Sequence, residues 1–318
     1  MLTEHSTLAE LALLPIWEEN EQLIEVQPAG ESNMNLVLRI TTSHRSVILK
    51  QSKPYVRKYP QIPAPIERIE IEYAFFQRLN QNPTTATFLP KTLNHLPDFH
   101  ILVTEDLGKG SDFSFLYQRK STQLPVEMIQ LMNFLNALHQ ESAHDFPANL
   151  AMRKLNHEHI FHFPFLEDNG LDLDQIQKGL QALSLEFKRN QQLTETIKAL
   201  GNRYLQNGQT ILHGDFYPGS WLTIDGNVKV IDPEFAYPGD KEFDLGVFLA
   251  HLDLAGFQPE EVNSLLSHYA HSFDFKLLQA YRGTELLRRL IGIAQLPVNL
   301  SLSEKETLLH YASELVLS

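Results

Sequence analysis

The stretch from Thr210 to Glu234 constrains this chain more than any other. It runs Thr210-Ile211-Leu212 into His213-Gly214-Asp215, continues through Trp221 to Ile224, and turns at Asp225-Gly226-Asn227. Val228 to Ile231 then leads to Asp232-Pro233-Glu234. An Asp-Gly pair between two apolar runs is a hairpin signal, because both central residues of a type I′ turn take positive φ. Asp215 lies in the loop that enters the hairpin, and Asp232 directly follows its second strand. Because a hairpin folds its ends together, two carboxylates are expected side by side.

One carboxylate of such a pair can orient a hydroxyl and accept its proton. The other, helped by Glu234, can hold a divalent metal that bridges phosphates. Protein-kinase-type phosphoryl transfer uses these parts: a His-x-Asp loop, a polar residue beyond it, and a metal-binding Asp after the next strands. Asp215 is therefore the candidate base, with Asp232, Glu234 and Ser220 as candidate metal ligands. Any one of these acids is equally at home capping a surface hairpin. The order and spacing of the set carry the chemistry.

Other residues fall where that chemistry needs them. Lys50 ends a strand of aliphatic residues, where a lysine can grip nucleotide phosphates and pair with a helix glutamate. Glu72 is the expected partner, since Glu70, two residues earlier, faces elsewhere on the helix. The loop Gly30 to Asn35 is placed to cover phosphates. It has a single glycine, but Asn33 and Asn35 tolerate left-handed backbone and carry amide donors. Glu105-Asp106-Leu107 sits where a connector between two lobes belongs. Asp244 either braces the catalytic loop or caps the helix that it opens. Arg288 and Arg289 interrupt an apolar helix. One can face outward at little cost, and the other needs an acidic partner or an anionic ligand, because an unpaired buried charge is expensive. His157, His159 and His162 keep no period that gathers three imidazoles, so they read as solvated or hydrogen-bonded rather than as a zinc site.

The chain's organisation is α+β. Residues 24–27, 36–40 and 46–50 read as an antiparallel meander, preceded by an amphipathic helix over 7–19. A proline-containing connection leads to a helix over 66–79, and residues 100–104 form another strand. Past Gly108 the pattern turns helical, with helices expected over 128–139, 174–187, 191–206, 242–254, 259–272, 275–296 and 303–317. The predicted boundary separates a nucleotide-binding part, residues 1–107, from a helical part with the catalytic and substrate site, residues 108–318. With 318 residues there is ample chain for both. A net charge of −13 argues against a nucleic-acid partner, which wants a basic face. The absence of cysteine excludes disulfides, thiolate catalysis and cysteine-based zinc sites. No apolar run approaches the ~20 residues of a membrane span, and the acidic start is unlike a signal peptide, so a cytoplasmic location without a membrane partner is expected.

His213-Gly214-Asp215 with Asp232-Pro233-Glu234 resembles the aminoglycoside phosphotransferase and choline kinase superfamily. More narrowly, Gly30 to Asn35, Lys50 to Arg57, Glu105 to Leu107, His213 to Ser220, Ile231 to Phe235 and Arg288 to Ala294 resemble 5-methylthioribose kinases. The resemblance implies a protein-kinase-like two-lobed fold, with a small antiparallel-sheet N-lobe and a larger, mainly helical C-lobe. It implies ATP contacts at Asn35, Lys50, Glu105 to Leu107 and Asp232 to Glu234, with Mg²⁺ as cofactor. Acceptor contacts are implied at Asp215 and at Arg288, Arg289 or both. There are departures: Ser32 replaces the expected second glycine, Phe216-Tyr217-Pro218 is unusually aromatic, Gln295 stands in for a histidine, and the chain is shorter than typical methylthioribose kinases. The expected activity is ATP-dependent phosphorylation of a hydroxyl on a small molecule, with a methylthioribose-like sugar as the candidate acceptor. The alternatives are an amino-alcohol or aminoglycoside kinase, and a nucleotide-binding pseudokinase serving as an interaction module.

Overall fold

Leu36, Leu38 and Ile40 point to one side of their segment and Val37, Arg39 and Thr41 to the other, the period of a strand with one dry face. In the computed structural model, which describes residues 1–30, 33–119 and 123–318, this strand lies inside an antiparallel sheet. Helix α1 (Leu8–Leu11) leads into β1 (Leu23–Pro28), β2 (Leu36–Thr42) and β3 (Ser46–Gln51). A small hairpin, β4 (Tyr55–Val56) and β5 (Tyr59–Pro63), precedes α2 (Arg68–Leu79) and the short turn α3 (Pro83–Ala86). Then β6 (Thr92–Leu96) and β7 (Ile101–Glu105) complete the sheet in the order β1-β2-β3-β7-β6. Lys50 in central β3 is thereby flanked by Val37 and Leu102.

After β8 (Ser111–Asp112) the chain is mainly helical, beginning with α4 (Glu127–Gln140), α5 (Leu150–His157), α6 (Leu180–Lys188) and α7 (Gln191–Tyr204). The strands β9 (Thr210–Leu212), β10 (Trp221–Ile224), β11 (Asn227–Val230) and β12 (Tyr237–Gly239) follow. The remaining helices are α8 (Lys241–Leu254), α9 (Pro259–Ser264), α10 (Phe275–Ile291) and α11 (Leu302–Leu317). Asp225 and Gly226 take φ of 51° and 77°, and β10 pairs with β11 from Trp221↔Val230 to Ile224↔Asn227, as the hairpin signal predicts.

Several boundaries differ from the sequence reading. The opening helix is only Leu8–Leu11, started by a Thr7/Glu10 capping box and ended well before Pro15. The proline-rich connection holds the β4–β5 hairpin, since a short outlying pair tolerates residues that cannot donate an N–H. Helix α6 starts at Leu180, behind Gly179 at φ 91°. Helix α10 stops at Ile291, where Gly292 turns extended.

Three apolar clusters hold these elements. One backs the sheet against α1, through Leu11, Leu38 and Leu49. A second joins α7, α8, α10 and α11. The largest runs from α2 into the hairpin and so bridges sheet and helices, uniting Phe75, Phe134, Phe216, Trp221 and Phe248. Phe216 is its hub, with ring centroids 5.7 Å from Phe134, 5.2 Å from Trp221 and 5.8 Å from Phe248. The aromatic residue after Asp215 is therefore an anchor for the loop. Phe216→Ala is expected to cost about 3–5 kcal/mol of stability, read as a lowered urea midpoint.

Candidate active site

The loop carrying Asp215 is held from below. Gly214 has φ 81°, and a Cβ there would lie 2.2 Å from the Phe235 carbonyl oxygen, so a side chain is excluded. The buried Asp244 accepts the His213 N–H at 2.7 Å on one oxygen and the Gly214 N–H at 3.0 Å on the other. Asp240 occupies the N-cap of α8, so Asp244 braces the loop and does not cap the helix. His213 donates from Nε2 to the Ile231 carbonyl at 3.0 Å, tying the Asp215 loop to the residue before Asp232. The Ser220 hydroxyl donates to the Asp215 carbonyl at 3.1 Å. Asp232 itself sits in the left-handed region at φ 62°, uncommon for a residue with a side chain.

Helix α2 supports the second acid pair. Arg68 and Glu72, one turn apart, both face inward with no exposed surface, and Glu70 turns aside to His95 at 3.0 Å. Lys50 Nζ donates to Glu72 Oε1 at 2.6 Å and also to Asp232 Oδ1. Burial works against the Lys50 ammonium, but Asp232 and Glu72 outweigh it and hold its pKa above the ordinary value. Arg68 donates from Nε to Asn35 Oδ1 at 2.9 Å and pairs with Glu234, its Nε 3.1 Å from Oε2, and Asn35 Nδ2 donates to the same Glu234 oxygen at 2.9 Å. Burial pushes the Glu234 carboxyl up to about 8, opposed chiefly by Arg68.

A cleft of about 380 Å³ opens in front of these groups, walled by Val37 and Ile48 on one side and Leu222 and Ile231 on the other. Gly30, Lys50, Glu72, Glu105, Asp106, Leu107 and Asp232 all line it. The Asp106 carboxylate is engaged by Arg39 at 2.7 and 3.0 Å, Ser46 at 2.6 Å and the Gly108 N–H at 3.0 Å, which leaves backbone groups of the connector to face the cleft. Asn33, Asn35, Pro233 and Glu234 stand outside the lining; Asn35 and Glu234 are buried behind it, and the Asn33 carbonyl accepts the Lys58 N–H at 3.0 Å. Ser32 lies outside the described residues.

Arg288 and Arg289 gather beside Asp215. Both are buried, and neither takes the outward position open to one of them, because Glu285 is an acidic partner to each through a separate oxygen. Arg289 Nη2 lies 3.7 Å from Asp215 Oδ1, and its guanidinium stands 5.3 Å from the centre of the Tyr217 ring. Burial raises the Asp215 pKa, while Arg289 and then Arg288 pull it back. Gln295 caps the end of α10, donating to the Gly292 carbonyl at 2.7 Å. His157 and His162 both share Glu158, at 3.3 and 2.7 Å, and no metal-ligand group of three occurs among the described residues. The donor set still fits Mg²⁺, which takes oxygen ligands and is commonly held by one or two carboxylates plus substrate phosphates: Asp232 is 42% exposed and Glu234 lies close behind it.

The model of the phosphotransferase enzyme family (APH) matches residues 25–286. The chain belongs to that family. Among curated relatives of this phosphotransferase, the methylthioribose kinase of Bacillus cereus is 24% identical and aligns over 87% of this chain and 81% of its own length. That of Exiguobacterium sibiricum is 26% identical over 74% of this chain and 62% of its own. Among solved structures, a choline/ethanolamine kinase family protein from Mesorhizobium loti superposes with a TM-score of 0.56 at 16% identity, covering 98% of this chain and 93% of its own. Choline kinase LicA from Streptococcus pneumoniae gives 0.53 at 13%, covering 93% and 94%. The fold is thus the protein-kinase-like one expected, and the activity is that of a small-molecule phosphotransferase. No helix among the described residues is long and apolar enough to cross a membrane.

Sequence reasoning missed Arg68 and Glu285. Both were within reach, since each lies three or four residues from a residue already singled out and therefore shares its helix face. His139, 3.4 Å from Asp244, left no such signal. Asp244→Asn puts an amide donor where two backbone N–H groups need acceptors, which is expected to cost about 1–3 kcal/mol. The checks are a lower thermal midpoint together with reduced turnover.

Proposed function

We propose that this phosphotransferase transfers the γ-phosphate of ATP to a hydroxyl of a small neutral or anionic polyol, with a methylthioribose-like sugar as the leading candidate. The observation that carries the reading is Lys50, buried between Glu72 and Asp232 at the cleft and next to the braced Asp215 loop. The base of ATP lies between the apolar walls against the backbone of Glu105 to Leu107, and Lys50 takes its phosphates. That a LicA structure has been solved with AMP supports nucleotide use by this fold. Gly30, Asn33 and Asn35 belong to the loop over the phosphates, Asn35 acting through Glu234. Asp232, Pro233 and Glu234 form the metal-holding turn, with Ser220 keeping oxygen lone pairs for the same ion. Mg²⁺ held there supplies neutralisation of phosphate charge. Asp215 orients the acceptor hydroxyl and takes its proton, and Arg288 and Arg289 face the acceptor's oxygens. The nucleotide-binding part ends near residue 107, and the enzyme works in the cytoplasm, where ATP is supplied.

The charge balance around Asp215 favours a polyol over a cationic acceptor. Arg288 and Arg289 offset Glu285 and stand beside Asp215, so an ammonium group brought to the base would meet two guanidinium groups. Amino alcohols and aminoglycosides are therefore the weaker acceptors. The intact Asp215, Asp232 and Lys50 set speaks against a pseudokinase.

ADP release across methylthioribose, simple pentoses, amino alcohols and aminoglycosides tests this. Turnover is expected with a sugar, and preference for an aminoglycoside would overturn the acceptor class. Asp215→Asn should lower kcat by roughly 10²–10⁴ while leaving ATP affinity nearly unchanged. The base must be ionised, so kcat should fall as pH drops through the raised Asp215 pKa. Arg289 holds that pKa down, so Arg289→Met should move the acid limb of the kcat profile to higher pH. A limb that stays put would mean that another group is titrating.

A further inference from the structure

Neighbouring residues on an α-helix point about 100° apart, yet Arg288 and Arg289 are both drawn to one carboxylate. Glu285 lies three and four residues before them on α10, the two spacings that share a helix face. Its Oε2 accepts from Arg288 Nε at 2.5 Å and its Oε1 from Arg289 Nε at 2.7 Å. Oε1 also takes a hydrogen bond from His251 Nε2 at 3.0 Å, across the α8–α10 packing. A carboxylate can only accept here, so the proton is on Nε2, and His251 Nδ1 is left to accept the Tyr117 hydroxyl at 2.6 Å. Tyr117, His251 and Glu285 are each 1% exposed or less, so they reach no solvent.

We propose that Tyr117, His251 and Glu285 form a positioning relay that fixes the angle of Arg289 against Asp215, and so sets how well the acceptor hydroxyl is held. The inference rests on the acceptor-side role proposed above for Arg289 and Asp215. The relay's outer end is what separates it from ordinary packing. Arg289 is fixed at Nε by Glu285, and its guanidinium is covered on one side by the Tyr217 ring. Its Nη2, at 3.7 Å from Asp215 Oδ1, is beyond hydrogen-bond reach. Nη1 is held at long range by the Ala294 carbonyl, 3.4 Å away. It is thus the Nη2 end that is aimed at the base without being hydrogen-bonded to it, the condition for meeting a ligand oxygen placed between arginine and base. None of the three relay residues lines the nucleotide cleft. Their loss should therefore be felt by the acceptor and not by ATP.

The test uses the full chain and the best acceptor from the panel. It compares kcat and KM for acceptor and for ATP in Tyr117→Phe, His251→Leu, Glu285→Gln and the His251→Leu/Glu285→Gln double variant. Acceptor kcat/KM is expected to fall about tenfold or more in Glu285→Gln and by a smaller factor in Tyr117→Phe, with the ATP KM within about twofold throughout. The double variant should be no worse than Glu285→Gln alone, because His251 acts through Glu285. His251→Gln, which keeps a donor toward Glu285, should recover part of the loss seen with leucine. Tyr117→Phe removes one hydroxyl and little volume, so it decides the matter even where Glu285→Gln fails to fold. Parallel loss of ATP and acceptor parameters, an additive double variant, or acceptor kcat/KM unchanged in folded Tyr117→Phe would each overturn the relay. A wild-type enzyme that releases no ADP with any acceptor would remove the acceptor reading and the relay together. An active wild type with indifferent variants removes only the relay.

Discussion

A buried ammonium is tolerated only when it is paired and hydrogen-bonded, because taking a charge out of water costs several kcal/mol even after relaxation. Lys50 meets that condition from two directions, through Glu72 on α2 and Asp232 after the hairpin. Much of the surrounding architecture serves the meeting of these three groups. The sheet must place Lys50 on its central strand, α2 must pack so that Glu72 arrives from within, and the hairpin must return Asp232 to the same point. The sheet and the helical part are thus joined by charge as well as by the apolar cluster around Phe216.

Arg68 extends this logic one turn along α2. It donates to the carbonyls of Met34, Lys53 and Pro65 as well as to Asn35, and it pairs with Glu234. A single guanidinium therefore knits the end of the loop before β2, the connection after β3 and the turn after Asp232. Arginine suits the task because its planar fork offers five donors and does not lose its charge when buried. Removing it would leave Glu234 buried without a cation, the most costly kind of vacancy in a core.

Local chemistry made the hairpin legible, since Asp225-Gly226 dictates its own turn, and the Lys50–Glu72 pairing followed from helix periodicity. The alternation of Leu36 to Ile40 announced a half-buried strand equally well. The opening helix was overstated because Leu8, Leu11 and Leu14 keep a helical period that tertiary packing uses in a looser turn. The β4–β5 hairpin went unseen because four nearby prolines, from Pro54 to Pro65, outweigh any strand signal. At the arginine pair, periodicity sends the two neighbours to different faces of the helix. The shared carboxylate at Glu285 shows that two neighbours on different faces can still converge when one acid lies behind both. Long-range partners such as Tyr117 and His251, 134 residues apart, have no local signature at all.

The Arg39–Asp106–Ser46 lacing has a mechanical consequence. Asp106 ties the connector to β2 through Arg39 and to the start of β3 through Ser46, and Arg39 reaches on to the Gly108 carbonyl at 3.0 Å. Sheet and connector are therefore laced together as far as Gly108. Gly108 itself takes a positive φ of 93°, the bend from which the chain passes through Lys109 and Gly110 into β8. A ligand entering the cleft would therefore meet, along this edge, a wall whose shape is already set by its own lacing.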